Sequence, residues 1–189
     1  MNKFEKISQE QFNIDGFIKF YEPYRDLFSF NGFLFNSNDS LATELLNYDD
    51  IILPTRATKF SAGYDFYSLA DFRLNPGESI KIPTGIKVNL DEDKFLMIVP
   101  RSGLGFKYRL QLDNTLGVID SDYKNSDNEG HIWIKLTNDT KVNKTLTIRN
   151  GEAIAQGVIM QYFKTDDDNE EGVRNGGLGS TTSNVKEQI

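Results

Sequence analysis

The sequence predicts an all-β domain of sandwich or barrel type, and three observations predict it. Between residues 51 and 163 turn signals recur about every eight to twelve residues, the spacing of short strands joined by tight connections. Apolar and polar side chains alternate in SIKIPTGIKVNL and HIWIKLTN, the period-two pattern of strands with one face on a core. The chain has 189 residues, 38% of them hydrophobic and 26% charged, which suits one globular domain with decorations.

Taken in order, residues 1–50 are the least regular part. They contain GFIKFYEPYRDLFSFNGFLF and then SLATELLNY, where Leu41, Leu45 and Leu46 behind a Ser40 cap predict one short amphipathic helix. The aromatics from Phe12 to Phe35 are too dense for a disordered tail, so this part packs on the β domain or on a partner. In residues 51–163, Ile80 and Ile82 precede a Pro-Thr-Gly break, Ile86, Val88 and Leu90 follow it, and Ile132, Ile134 and Leu136 repeat the rhythm. FLMIVP and AIAQGVIMQYF are more continuously apolar, which predicts strands buried on both faces. Residues 164–189 form a C-terminal arm: the acidic run TDDDNEE reads as a solvated connector, and VRNGGLGSTTSN follows it.

Composition removes several function classes. There is no cysteine, so disulfides and thiolate metal sites are excluded, and the single histidine, His131, argues against a zinc site; any metal is a hard ion with oxygen ligands. A net charge of -7 argues against a nucleic-acid partner, because polymer binding needs many phosphate-neutralising Lys and Arg. No stretch approaches the roughly 18 apolar residues of a membrane span. The opening MNKFEKISQEQ is charged where a signal peptide has its apolar segment, which predicts a cytoplasmic protein.

Four stretches carry chemistry. PRSGLGF (100–106) follows an apolar strand and offers Arg101 for a forked ion pair, the Ser102 hydroxyl and close backbone approach at Gly103; it suits phosphate oxygens, although Arg-Ser-Gly also makes an ordinary turn. RNGGLGSTT (174–182) is either an anion cradle or a flexible tail. In GEAIAQG (151–157), Gln156 can donate to a phosphate or satisfy a strand edge. NTLGVIDSDY (114–123) sets Asp120, Asp122 and Tyr123 directly after Val118 and Ile119, where turn residues are the plain alternative. Ser61, Gly63, Glu152 and His131 read as turn, strand and surface residues.

Together with SAGYDFYS (61–68), these stretches in their order resemble the five motifs of the homotrimeric dUTP pyrophosphatases (dUTPases), over roughly residues 51–182. The form expected is that of a phage or a Gram-positive bacterium. The resemblance implies a jelly-roll β domain and a homotrimer with three active sites at subunit interfaces. It also implies Mg²⁺-dependent hydrolysis of dUTP to dUMP and pyrophosphate, which limits uracil in DNA and supplies dUMP for dTTP synthesis. By the same resemblance Asp120 is the general base that deprotonates water attacking the α-phosphorus. Tyr123 lies under the deoxyribose and leaves no room for a 2′-hydroxyl. Asn114 and the hairpin backbone through Leu116 and Gly117 pair with the uracil edge, and cytosine would leave buried polar groups unpaired there. Asp65 helps place the hydrated Mg²⁺ through water, the ion resting mainly on the triphosphate. Ser102 and Gly103 hold the β-phosphate region, and Arg101 ties motifs together across the interface. Gln156 donates to the α-phosphate. Arg174, Ser180 and Thr181 close over the γ-phosphate, with Leu178 and Gly179 in the same arm. Asp122 fixes the turn.

Three features depart from the family pattern. KNSDNE (124–129) reads as a polar surface loop inserted where shorter members run almost directly to glycine. Residues 8–48 read as an insertion or added element, because in related proteins the first strand lies just before the segment resembling DIILPTRAT. Some phage dUTPases carry extra segments that bind regulatory proteins, so a regulatory protein partner is the expected second function of a different class. The alternatives are a dCTP deaminase, which needs a glutamate proton shuttle after the hairpin, and a non-catalytic binding protein, which has no use for Asp120. Leu178 stands where the family has an aromatic that stacks on uracil, and stacking contributes about 1–3 kcal/mol. Leu178→Phe is therefore expected to lower KM for dUTP several-fold in steady-state assays; an unchanged KM rejects the stacking argument.

Overall fold

The computed structural model describes residues 1–15, 46–172 and 174. Its elements are β1 (Lys3–Lys6), α1 (Gln9–Ile14), β2 (Thr55–Arg56), β3 (Tyr64–Tyr67), β4 (Phe72–Leu74), β5 (Ser79–Pro83), β6 (Ile86–Asn89) and β7 (Lys94–Pro100), then α2 (Ser102–Tyr108), β8 (Leu110–Leu112), β9 (Gly117–Asp120), β10 (Trp133–Asn138), β11 (Leu146–Ile148) and β12 (Ala153–Gln161). Every strand pairing is antiparallel. One sheet runs β2-β3-β12-β7-β9 and a second β5-β10-β8, with ribbons β1-β6 and β4-β11 completing an all-β jelly roll. Among the described residues no helix is long and apolar enough to cross a membrane.

The period-two readings place the core. Ile80, Ile82, Ile134 and Leu136 face inward from β5 and β10, and Leu96 and Ile98 meet them from β7. Full burial of each such side chain contributes about 1.5–3 kcal/mol. β7 and β12 are expected to be buried on both faces; β7 instead alternates, with Phe95, Met97 and Val99 half-buried, and β12 ends at exposed Met160 and Gln161, with exposed Tyr162 and Phe163 beyond it. Their continuous apolar text serves one inner face and one outer face that the described residues cover only in part.

β1 pairs with β6, so residues 3–6 are a strand of the β domain. α1 follows, capped by Ser8, whose hydroxyl accepts from the Gln11 N–H at 3.1 Å, and it buries Phe12 against the Tyr48 ring. Most of the helix expected in SLATELLNY and the aromatics from Phe17 to Phe35 lie outside the described residues; Leu46 is buried, and a 3-10 turn spans Tyr48–Asp50. PRSGLGF, read as a loop, forms α2. Leu104 and Tyr108, one turn apart, pack on the core and outweigh the helix cost of Gly103 and Gly105, and Arg109 ends the helix at φ 50°.

The 114–117 segment, expected to be a hairpin, is not one. β8 belongs to the three-stranded sheet and β9 to the edge of the five-stranded one, so residues 113–116 bridge two sheets. Asp113 pins the bridge to β10: its N–H donates to the Lys135 carbonyl at 3.1 Å, its carboxylate pairs with the Lys135 ammonium at 2.5 Å, and the Thr137 hydroxyl donates to it. Burial raises the Asp113 carboxyl, but Lys135 and Thr137 outweigh burial and hold it below its ordinary 3.8. A depressed carboxyl stabilises the fold above its unfolded pKa and loses that contribution as pH falls through the folded value. Asp113→Asn is thus expected to lower urea stability at neutral pH and to flatten the further loss below about pH 4; parallel pH curves for parent and variant would contradict this.

Candidate active site

A cavity of about 400 Å³ opens in the gap between the two sheets, beneath residues 113–117. Ile98 and Leu112 form its apolar wall, Asn114 and Gly117 its rim, and the Tyr123 ring and Trp133 its sides. Gly117 stands opposite Ile98 on β7, where an added Cβ would sit 3.2 Å from the Ile98 Cβ, so the rim backbone lies close to the sheet. Tyr123 is buried in a 3-10 turn; its hydroxyl donates to the His131 carbonyl at 3.1 Å and accepts from the Asn128 amide at 3.2 Å. The ring is thereby held by its polar end, and Tyr123 lines the cavity.

Asp120 ends β9 beside this cavity, with its neighbour Ile119 on the lining. Its carboxylate accepts from the Arg174 guanidinium, which also donates through Nε to Asp122 Oδ1 at 2.9 Å. Arg174, expected over a neighbouring subunit's γ-phosphate, here lines the cavity of its own chain. Asp122 holds the 3-10 turn through its carbonyl, which accepts from the Asn125 N–H at 2.9 Å, and makes no side-chain cap bond there; its carboxylate faces the arginine. Leu178, Gly179, Ser180 and Thr181 lie outside the described residues.

A second group gathers where β3, β12 and β7 end together. In register Gln156 faces Asp65 on one side and Val99 on the other. Arg101 Nε pairs with Asp65 Oδ1 at 3.0 Å and its guanidinium donates to the Ala153 carbonyl at 3.3 Å, so the tie expected across an interface is made within the chain. The Gln156 amide donates to the Pro100 carbonyl at 3.1 Å. Gly63, read as a turn residue, is a packing position: a Cβ there would lie 2.3 Å from Gln156 Oε1. Ser102 is exposed at the start of α2 with Gly103, where first-turn N–H groups lack helical partners and suit anions. Arg101 and Ser102 border a second cavity of about 380 Å³.

The candidate residues therefore fall into two groups. Asn114, Gly117, Tyr123 and Arg174 line the first cavity, with Leu116 and Asp120 next to lining residues in sequence; Asp65, Arg101, Ser102, Gly103 and Gln156 form the second group. Among the described residues no hydrogen bond or ion pair joins them. Asp120 stands opposite Phe95, six residues before Arg101, about 20 Å at strand rise. Ser61 and Glu152 close turns as expected, Ser61 N–H to Thr58 at 3.3 Å and Glu152 N–H to Arg149 at 3.0 Å. His131, read as a surface or strand residue, is fully buried, its Nδ1 2.6 Å from Asp15. The KNSDNE loop is also less exposed than expected, since Ser126 is buried and its N–H donates to the Tyr123 carbonyl at 3.0 Å. Sequence reasoning missed Asp15, Ser8 and Asn128; no local pattern marks them, because their partners lie far along the chain or in a loop read as solvent-exposed.

Comparison with known proteins bears on the whole arrangement. The dUTPase family profile matches residues 49–182. A deoxyuridine 5′-triphosphate nucleotidohydrolase from Lactococcus lactis is 40% identical over 134 residues, covering 69% of this chain and 88% of that protein. The crystal structure of a dUTPase from Streptococcus mutans superposes with a TM-score of 0.55 at 34% identity, covering 66% of this chain and 94% of that one. A mutant dUTPase from phage phi11 of S. aureus, described with a structural Mg(II) ion, has a TM-score of 0.53 at 24% identity over 68% of this chain and 94% of its own, a likeness of fold. With a profile spanning most of its length and a relative at this identity, the chain belongs to the dUTPase family.

Proposed function

We propose that this chain hydrolyses dUTP to dUMP and pyrophosphate, with Asp120 as the general base. The observation that carries the reading is a carboxylate at the end of β9 beside a cavity walled by a buried tyrosine and rimmed by backbone. Uracil lies against the 113–117 rim, where Asn114 and the backbone at Leu116 and Gly117 read its edge. The deoxyribose stacks on Tyr123, whose anchored ring bars a 2′-hydroxyl. Asp120 then takes a proton from the water that attacks the α-phosphorus, within the range of about 10²–10⁴-fold assigned to positioned bases.

Arg174 occupies the two carboxylates before substrate arrives. A triphosphate carries more negative charge than either aspartate, so the guanidinium transfers to the phosphate chain and uncovers Asp120. Ser180, Thr181, Gly179 and Leu178 follow it as the arm closes. Ser102, Gly103 and Gln156 hold phosphate oxygens, the glutamine amide leaving the Pro100 carbonyl to do so. Their separation from Asp120 in one chain supports a homotrimer in which a neighbouring copy supplies the phosphate half.

The donor chemistry fits Mg²⁺ carried on the substrate. Among the described residues no group of three or more His, Cys, Asp or Glu could form a protein cage, and one Asp65 oxygen is already engaged by Arg101. A hydrated ion held by phosphates with one carboxylate nearby is the usual Mg²⁺ arrangement, and it neutralises phosphate charge when bound. Our reading is that the enzyme acts in the cytoplasm, which a deoxynucleotide substrate supports. The aromatic-rich part of residues 1–50 is assigned as an added element for a regulatory protein partner, on composition alone.

Asp120→Asn is expected to lower kcat for dUTP about 10³-fold with KM little changed, measured by pyrophosphate release with and without Mg²⁺; a variant as fast as the parent removes the general-base assignment. Refolding Asp120→Asn together with Gln156→Leu is expected to recover activity that neither variant has alone. No recovery in a verified mixed oligomer rejects the shared site.

A further inference from the structure

The single histidine of the chain has no part in the proposed chemistry, yet it is fully buried and bonded on both ring nitrogens. The Gly85 backbone N–H donates to Nε2 at 2.9 Å. An amide N–H only donates, so Nε2 is the unprotonated nitrogen and Nδ1 carries the proton, donating it to Asp15 Oδ2 at 2.6 Å. Asp15, also fully buried, accepts at the same oxygen from the Gln11 amide of α1 at 3.0 Å. The backbone of His131 meanwhile accepts from Tyr123 Oη at 3.1 Å and from the Asn128 amide at 3.2 Å. One residue therefore links α1 to the tyrosine of the cavity.

A second fastening lies two residues away in the turn. Glu129 accepts from the Ser8 N–H at 3.0 Å, from the Ser8 hydroxyl and from the Lys87 ammonium at 3.1 Å. Ser8, Lys87 and burial act on the Glu129 carboxyl with a net lowering, led by the Ser8 hydroxyl bond. Glu129 and Gly130 are both left-handed, at φ 57° and 73°, a conformation that a non-glycine residue holds only when its surroundings impose it. Gly130 has no substitute there, since a Cβ would approach the Lys124 Cα to 2.6 Å. The turn that carries Tyr123 is thus clamped to α1 at both Ser8 and Asp15.

We propose that α1 is a positioning element for sugar selection: Asp15, through His131, and Ser8, through Glu129, hold the Tyr123 ring where it excludes a ribonucleotide. The inference rests on the reading of Tyr123 as the surface under the deoxyribose. Loss of either clamp lets the turn relax, the ring withdraw and UTP enter.

The test compares kcat/KM for dUTP and UTP in the full chain. Asp15→Ala is expected to lower the dUTP/UTP ratio about tenfold, as displacement of a positioned group does, whereas Asp15→Asn, whose amide oxygen still accepts from Nδ1–H, restores it. Because His131 is the only histidine, its Nδ1–H gives one downfield signal in a ¹H–¹⁵N spectrum, expected to disappear in the alanine variant and persist in the asparagine one. Should Asp15→Ala not fold, the more exposed pair Ser8→Ala with Glu129→Ala decides, with the same direction of change. A folded variant with lowered Tm but the parent's ratio overturns the inference and leaves α1 a stabilising element only. If the parent itself turns over UTP as well as dUTP, or Tyr123→Ala leaves the ratio unaltered, the sugar reading fails first and the inference falls with its premise.

Discussion

The pairing of β9 along the edge of β7 is the constraint from which the site follows. It puts Gly117 against Ile98 and Asp120 against Phe95, and in doing so it draws the chain away from β8, its predecessor in sequence. Two strands that would close as a hairpin are instead held in different sheets, and the opening between them is the cavity. Antiparallel pairing sets spacing residue by residue, so the distance from the carboxylate to the strand end bearing Arg101 is not adjustable by side-chain motion. On the proposed reading, a ligand that meets both finds one of them on another copy of the chain.

The electrostatics of the site are economical for an acidic protein. With a net charge of -7, a polyanionic substrate is met by local cations and not by the charge of the chain as a whole. Arg101 is engaged by Asp65, and Arg174 by Asp120 and Asp122. Each pair is only partly exposed, so the carboxylates keep the guanidinium groups oriented without burying an uncompensated charge. On the proposed reading, the Arg174 pairs exchange for phosphate when substrate binds, which turns a resting ion pair into a switch that uncovers the base.

The N-terminal part belongs to the same physical system. β1 completes a ribbon with β6, Phe12 enters the core, and α1 meets the turn behind Tyr123 at two polar contacts. The buried one of the two, Asp15 with His131, contributes little net stability but specifies one arrangement strongly, because a misplaced partner leaves a desolvated group unpaired. The turn it grips contains consecutive left-handed residues, which explains why the KNSDNE stretch is held in place rather than left to solvent.

Local periodicity was enough to determine the strands around Ile80, Ile86 and Ile134, the core they build, and the motif order that marks the family, because alternation and turn chemistry are properties of neighbours in sequence. The same text could not say that residues 110–120 leave one sheet for another, that PRSGLGF closes into a helix, or that Asp122 faces an arginine from the C-terminal arm. Those outcomes depend on contacts between segments tens of residues apart, as between Leu104 and the core or Asp122 and Arg174. His131 is the sharpest case: its composition and neighbours fit a surface residue, and only the arrival of Asp15 from 116 positions away, with the Gly85 amide on the other side, makes it a buried hinge pin. Sequence determines which groups are available, and tertiary packing decides which of them lose water and must therefore find each other.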